Sequence, residues 1–314
     1  MPATVHGIHH VTAISGDAQE NLDFYTGVLG LRLVKRTVNQ DAPDTYHLFY
    51  ADAVGTPGTD LTFFPWPRMA PARLGVGLAV EVAFSILPGS LPYWQERLAS
   101  HGVAVEALET RFGATVLPFS DPHGMRLALV ATDAPIATTP WEHSPVPAEH
   151  QLRGMHSVRL WENDLAATAE FLTGSLGFTL LASDDGWQRY SVDGGGAGKW
   201  VDVKELPGER RGAWGTGGIH HVAWRVTDTP EEMAVRAAVA AAGRQPTQQI
   251  DRFWFKSVYF REPGGVLFEL ATDGPGFGVD EDMEALGEKL ILTPWLEPQR
   301  PAIEATLPPL QMVG

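Results

Sequence analysis

The chain has 314 residues, 44% apolar and 19% charged, a composition that supports a large folded core and excludes wholesale disorder. A formal net charge of −15 opposes binding to nucleic-acid phosphates or to an anionic membrane surface. The absence of cysteine excludes disulfides, thiolate zinc sites, iron–sulfur clusters and a cysteine nucleophile, so a metal must be held by His, Asp, Glu, Tyr or backbone oxygen.

The N-terminus, Met1-Pro2-Ala3-Thr4-Val5-His6, lacks the basic region and apolar block of a signal peptide. No apolar run reaches the roughly 18 residues of a membrane span, and the expected location is the cytoplasm. Gly7 to Ile14 reads as a strand, followed by a turn at Ser15-Gly16-Asp17-Ala18 that offers helix caps. A helix over Asn21–Gly30 follows, with Leu22, Tyr25 and Leu29 at helical spacing and Gly30 as its left-handed stop. Leu31–Val38, Tyr46–Ala51 and Asp60–Phe64 read as strands.

That β-α-β-β-β order recurs. The second copy has a strand over Gly77–Ile86, a helix over Gly89–Leu98, and strands near Val103–Glu109, Gly113–Phe119 and Met125–Ala131. The third opens at Gly154-Met155-His156-Ser157-Val158 with a helix over Asp164–Thr173. The fourth opens at Gly218, has an Ala-rich helix over Glu231–Ala242 and closes over Gly264–Ala271. Each unit makes a sheet whose helix covers one face, so units must pair to bury the rest. The expected fold is α+β: four βαβββ repeats paired into two barrel-like modules. Residues 1–133 are read as an N-terminal half of two repeats and 134–153 as a Pro-rich linker. Residues 154–274 are read as a C-terminal half of two repeats. A packed extension over 275–314 then carries an acidic helix start at Asp280-Glu281-Asp282.

The chemistry concentrates in Gly218-Ile219-His220-His221-Val222 and its near copy Gly7-Ile8-His9-His10-Val11, with Glu269 between Phe268 and Leu270. Alternation along a strand lets one imidazole of each doublet face a cleft, and spacing does not say which. An unpaired carboxylate inside an apolar strand is costly to bury, so Glu269 is read as a ligand. Two imidazoles and one carboxylate form the facial set that suits non-haem Fe(II) and leaves positions open; manganese, zinc or nickel fits the same donors. Pairing of units three and four would use His156 with His221 and Glu269, and pairing of units one and four would use His10. The doubled His of unit one matches unit four better than Met155-His156-Ser157 does, which argues for His10. Gly194-Gly195-Gly196-Ala197-Gly198 lacks the Lys and the following helix of a phosphate loop and reads as a hairpin.

These features together resemble the vicinal oxygen chelate superfamily of glyoxalases, bleomycin-resistance proteins and extradiol dioxygenases, and within it the ring-cleaving dioxygenases that act on hydroquinones. The matching segments include His9-His10-Val11-Thr12, Val34-Lys35-Arg36-Thr37, Tyr46-His47-Leu48, Thr110-Arg111-Phe112-Gly113, His220-His221-Val222-Ala223 and Phe268-Glu269. The resemblance runs over nearly the whole chain. It implies an oxidoreductase whose Fe(II) is held by His10, His221 and Glu269 between the first and fourth repeats, with a small aromatic substrate and dioxygen as partners. It further implies catalytic roles for His9, His220, Arg252 and Tyr259. Between Arg252 and Tyr259 the chain departs from the pattern with Phe253-Trp254-Phe255, so the resemblance does not carry the exact substrate across that stretch. The competing readings are a glyoxalase-like isomerase or lyase, which would want a fourth ligand, and a non-catalytic quinone- or drug-binding protein. A homo-oligomer is compatible with all three.

Overall fold

The computed structural model describes residues 4–312. The first repeat comprises β1 (Ile8–Ser15), α1 (Ala18–Leu22), β2 (Arg32–Asn39), β3 (Ala42–Ala51) and β4 (Asp60–Pro65). The second comprises β5 (Leu78–Ile86), α2 (Leu91–Ser100), β6 (Glu109–Arg111), β7 (Ala114–Ser120) and β8 (Arg126–Ala131). The third comprises β9 (Met155–Glu162), α3 (Leu165–Ser175), β10 (Thr179–Asp184), β11 (Trp187–Ser191) and β12 (Trp200–Glu205). The fourth comprises β13 (Ile219–Val226), α4 (Thr229–Ala241), β14 (Ile250–Asp251), β15 (Lys256–Arg261) and β16 (Leu267–Thr272). In three repeats an Asp caps the helix that follows the opening strand: Asp17, Asp164 and Asp228 accept from backbone N–H groups of the first turn. Each cap stabilises its helix by about 1 kcal/mol.

The repeats pair first with fourth and second with third. One eight-stranded sheet runs β14-β15-β16-β13-β1-β4-β3-β2, the other β10-β11-β12-β9-β5-β8-β7-β6. At each centre two opening strands meet antiparallel, with Val11 opposite Val222 and Val82 opposite Val158. Alternation sends Val11, Leu48, Phe63, Trp224, Phe268 and Leu270 to one face, where they join a single apolar core with the helices and the second sheet. The opposite face of the first sheet curls around the histidines. Among the described residues no helix is long and apolar enough to cross a membrane.

Three segments differ from their sequence reading for local reasons. The helix expected over Asn21–Gly30 is α1 continued by a π-helical turn over Asp23–Val28. The Thr26 hydroxyl donates to the Leu22 carbonyl at 2.7 Å, and the backbone bonds slip to the wider spacing, with Leu29 N–H reaching Phe24 O. Gly30 does take the left-handed conformation, at φ 72°. The strand expected at Val103–Glu109 shrinks to Glu109–Arg111, because its partner strand presents Pro118 there, which has no N–H to donate. The acidic stretch in the tail opens no helix, only a 3₁₀ turn at Met283–Ala285. Arg32 takes the carbonyls of Met283 and Glu284, acceptors that a helix would need.

The tail covers the exposed edge of β2, with Ile291 N–H donating to Arg36 O at 2.9 Å and Leu290 bridging Arg36. Lys35, fully buried on β2, is held by Asp280 at 2.8 Å and by Glu281, and lies over the Trp254 ring. The glycine segment at 194–198 joins β11 to β12, which pair antiparallel as a hairpin.

Candidate metal centre

Register places the candidate ligands. Across the central pair His10 faces Ala223 and Thr12 faces His221, while Ala223 faces Glu269 on β16. Period-two alternation therefore puts His10, His221 and Glu269 on the same face of three adjacent strands. One ligand atom from each lies within 4.8 Å of the others, and all three residues are buried. His221 Nε2 is 2.9 Å and His10 Nε2 3.3 Å from Glu269 Oε2. Nevertheless His221 Nε2 and Glu269 Oε2 make no hydrogen bond.

The doublets explain which nitrogen faces inward. His9 Nε2 lies 3.2 Å from the Thr272 carbonyl, which can only accept, so His9 carries its proton there. Its Nδ1 is then an acceptor, and the contact of 3.0 Å with His10 Nδ1 requires His10 to donate. With both rings neutral, His10 Nε2 is left as a lone pair aimed at Glu269. His220 Nδ1 and His221 Nδ1 make the same contact at 2.8 Å. Burial, followed by the adjacent His10, lowers His9 to about 3; burial and His221 do the same to His220. Ser257 donates to the other Glu269 oxygen, Oε1.

A small cavity opens onto the cluster, bounded by His10, His47, Phe49, Phe64, His221, Arg252, Trp254, Phe255 and Tyr259 and by the hairpin tip Asn39-Gln40-Asp41. Tyr259 stands opposite Glu269 in register and edge-on to His221, with ring centres 5.6 Å apart. Burial and the Glu269 charge push its phenol up, keeping it protonated. The Arg252 guanidinium lies 5.4 Å from the Tyr259 ring centre and bonds Asp41 at 2.9 Å. Within Phe253-Trp254-Phe255, Phe255 packs on His9 and His10, and Trp254 Nε1 donates to Asp280. His220 faces away from the triad, stacked on Trp214 at 4.3 Å.

Sequence reasoning did not single out His47. It projects from β3 between Phe49 and Phe64, with its Nε2 2.9 Å from Thr62 Oγ1, which in turn meets Thr12 Oγ1 at 2.8 Å. Burial lowers it well below its ordinary value. The signal was the alternation His47, Phe49 on one strand and Thr62, Phe64 on its neighbour. Ser257 was missed because its role depends on a cross-strand neighbour of Glu269.

The model for the Glyoxalase/Bleomycin resistance protein/Dioxygenase superfamily matches residues 7–129 and 154–270. The chain belongs to this superfamily. It is 42% identical to the Bacillus subtilis protein named "Putative ring-cleaving dioxygenase MhqA", over 98% of this chain and 99% of that one. It is 35% identical to the chlorohydroquinone/hydroquinone 1,2-dioxygenase of Sphingobium indicum, over 95% of this chain and 94% of that one. A crystal structure of a "putative dioxygenase" from Bacillus subtilis superposes with a TM-score of 0.93 at 39% identity, covering 98% of both chains. Maize glyoxalase I, at 16% identity and a TM-score of 0.64 over 85% of this chain and 92% of that one, shares the fold.

The glyoxalase-type repeats of the second sheet carry a different set at the same register. Glu81 stands where His10 does, Ser157 where His221 does, Asp202 where Glu269 does and Arg159 where Ala223 does. Arg159 Nε lies 3.8 Å from Glu81 and 3.9 Å from Asp202. Arg111 and Arg189 pair with the same two carboxylates. His156 sits on this sheet, bonded to Ser157 at 3.0 Å and edge-on to Trp200, and does not join the triad.

Proposed function

We propose that the protein is a cytoplasmic ring-cleaving dioxygenase for hydroquinone-type phenols, with one Fe(II) held by His10, His221 and Glu269. The observation that carries the reading is the convergence of three buried side chains, each able to offer an electron pair, within 4.8 Å of one another, with His221 Nε2 and Glu269 Oε2 left without a hydrogen bond. Without a cation they repel each other, and burying Glu269 Oε2 unpartnered is costly. A donor set of two imidazoles and one carboxylate fits a divalent ion such as Fe(II). Among the described residues the cluster offers three protein ligands, where a glyoxalase-like site would add a fourth. The full-length similarity to a hydroquinone dioxygenase supports the ring chemistry and the substrate class.

When bound, the iron would supply the redox chemistry that joins both atoms of dioxygen to the ring carbons. The residues around it do the rest. Phe49, Phe64 and Phe255 give a flat apolar slot that orients a ring and excludes water. Neutral His47, fixed by the Thr62–Thr12 hydroxyl pair, is placed to accept the proton a phenol loses. Tyr259, kept protonated, donates to a substrate oxygen, and Arg252 balances negative charge beside it. His9 and His220 hold the tautomers of the two ligand imidazoles.

The test is anaerobic loading with Fe(II), then dioxygen uptake and ultraviolet detection of ring opening with hydroquinone. One dioxygen consumed per ring opened is expected, with Glu269→Ala losing both metal and turnover. Ligand binding that survives Glu269→Ala, with no oxygen uptake by the wild type, would identify a binding protein instead.

A further inference from the structure

We infer that Gln40 and Asp41, at the β2–β3 hairpin tip, are positioning residues that gate the pocket by holding Arg252 across its mouth. The identity of the molecule admitted rests on the dioxygenase reading; the gate itself rests on geometry.

The cavity above the triad measures about 40 Å³, room for a few waters and far below the roughly 300 Å³ at which small-molecule sites begin. A phenolic ring therefore needs a wall to move. Most of the walls are strands laced into the sheet, and Trp254 is tied down by Asp280. The seam between the hairpin tip and the loop before β15 is different. β2 and β14 are the two outermost strands of the sheet, no backbone ladder joins them, and the tail lies along the β2 edge at Arg36. Two side-chain ties bridge this seam at the mouth: Gln40 Nε2 donates to Arg252 O at 2.9 Å, and Arg252 Nη2 donates to Asp41 Oδ2 at 2.9 Å.

The loop side of the seam is strained. Phe253, next to Arg252, has φ 76°, a left-handed conformation that a bulky side chain rarely adopts. Asp251 holds it there by accepting from Phe253 N–H at 2.8 Å, and Arg252 N–H donates to Phe255 O. The hairpin side ends in exposed Asp41, whose ion pair with Arg252 is weakened by water and cheap to break. Opening at the tip thus breaks these two hydrogen bonds and loosens the contact of Phe253 with Trp295, with no ladder bond of the sheet lost. Closing returns Arg252 to its place over Tyr259.

The test uses the full chain loaded with Co(II), and reads the rate of metal loss to excess EDTA together with steady-state kinetics. Asp41→Ala should release metal about threefold faster, and the Gln40→Ala/Asp41→Ala double variant roughly tenfold faster, each tie slowing opening by a small factor. Asp41→Glu should recover most of the wild-type rate. With iron, kcat/KM for a tert-butyl hydroquinone relative to hydroquinone should rise about threefold in Asp41→Ala, a shift in selectivity that a purely structural role would not give. Unchanged metal release in the double variant overturns the gate, whether or not a ring is opened. Faster release in a protein that opens no ring upholds the gate and removes the dioxygenase reading.

Discussion

Replacing His9 with Phe tests the tautomer relay most directly. The ring keeps its contact with Phe255, whose centre lies 5.4 Å away, so packing is nearly conserved. What disappears is the acceptor for His10 Nδ1–H, now facing carbon. A buried donor without a partner costs about 1–3 kcal/mol. The alternative is for His10 to move its proton to Nε2, which removes the lone pair that faces Glu269. Either route weakens metal binding by roughly 10- to 100-fold, equal to about 1.4–2.7 kcal/mol. The assay is the Co(II) dissociation constant by competition with a chromophoric chelator at fixed pH, since ligand deprotonation is linked to binding. His9→Asn restores an acceptor and should recover part of the loss. His220 is half-buried, so water can replace it, and His220→Phe should weaken binding by less than about tenfold. Binding of His9→Phe within about twofold of wild type would refute the relay.

Metal analysis of the loaded protein should give one ion per chain; His156→Ala should leave that content unchanged and His10→Ala should abolish it. Glu162, fully buried with neither carboxyl oxygen hydrogen-bonded, is raised to about 9 by burial and by Glu262. A raised carboxyl binds a proton in the folded state that the unfolded chain has lost, so its contribution is intact below about pH 4.5 and falls as pH rises toward 9. Glu162→Gln removes that slope of about 1.4 kcal/mol per pH unit, and its melting temperature should exceed wild type by more at pH 8 than at pH 5. An equal gain at both would contradict the assignment. Lys35→Met leaves Asp280 and Glu281 facing each other without their cation and should cost about 3 kcal/mol in urea unfolding; a loss below about 1 kcal/mol would mean the tail is held by other contacts.

The repeats were legible because each has a capping Asp or a Gly stop beside an apolar strand, signals that act within a few residues. The pairing of first with fourth repeat was legible only indirectly, from the likeness of His9-His10 to His220-His221, and the antiparallel contact of β1 with β13 agrees with it. The π-turn after α1 was hidden because it depends on where one threonine hydroxyl points. The acidic stretch looked like a helix start until Arg32, some 250 positions earlier, took its carbonyls. His47 escaped for a similar reason. A lone histidine in an apolar strand looks like core until the opposite strand supplies Thr62 and Phe64.

The two sheets act as an internal comparison of what this fold needs to become a metal site. Both centre on the same antiparallel pair, and both put an acidic residue at the place of Glu269. A buried carboxylate there is costly unless a cation or a proton accompanies it. In the second sheet the chain supplies a cation: Arg159 occupies the position of Ala223 and carries its guanidinium between Glu81 and Asp202. In the first sheet the fully buried Ala223 supplies no charge and leaves space, and the neighbouring positions hold imidazoles in place of Glu81 and Ser157. The difference between a filled ion cluster and a candidate metal centre is thus four side chains at equal register. For that reason the shared fold with maize glyoxalase I carries no activity by itself. What separates the two sheets is an alanine, small enough to leave room, beside two histidines, one of which has its tautomer set through His9 and the Thr272 carbonyl.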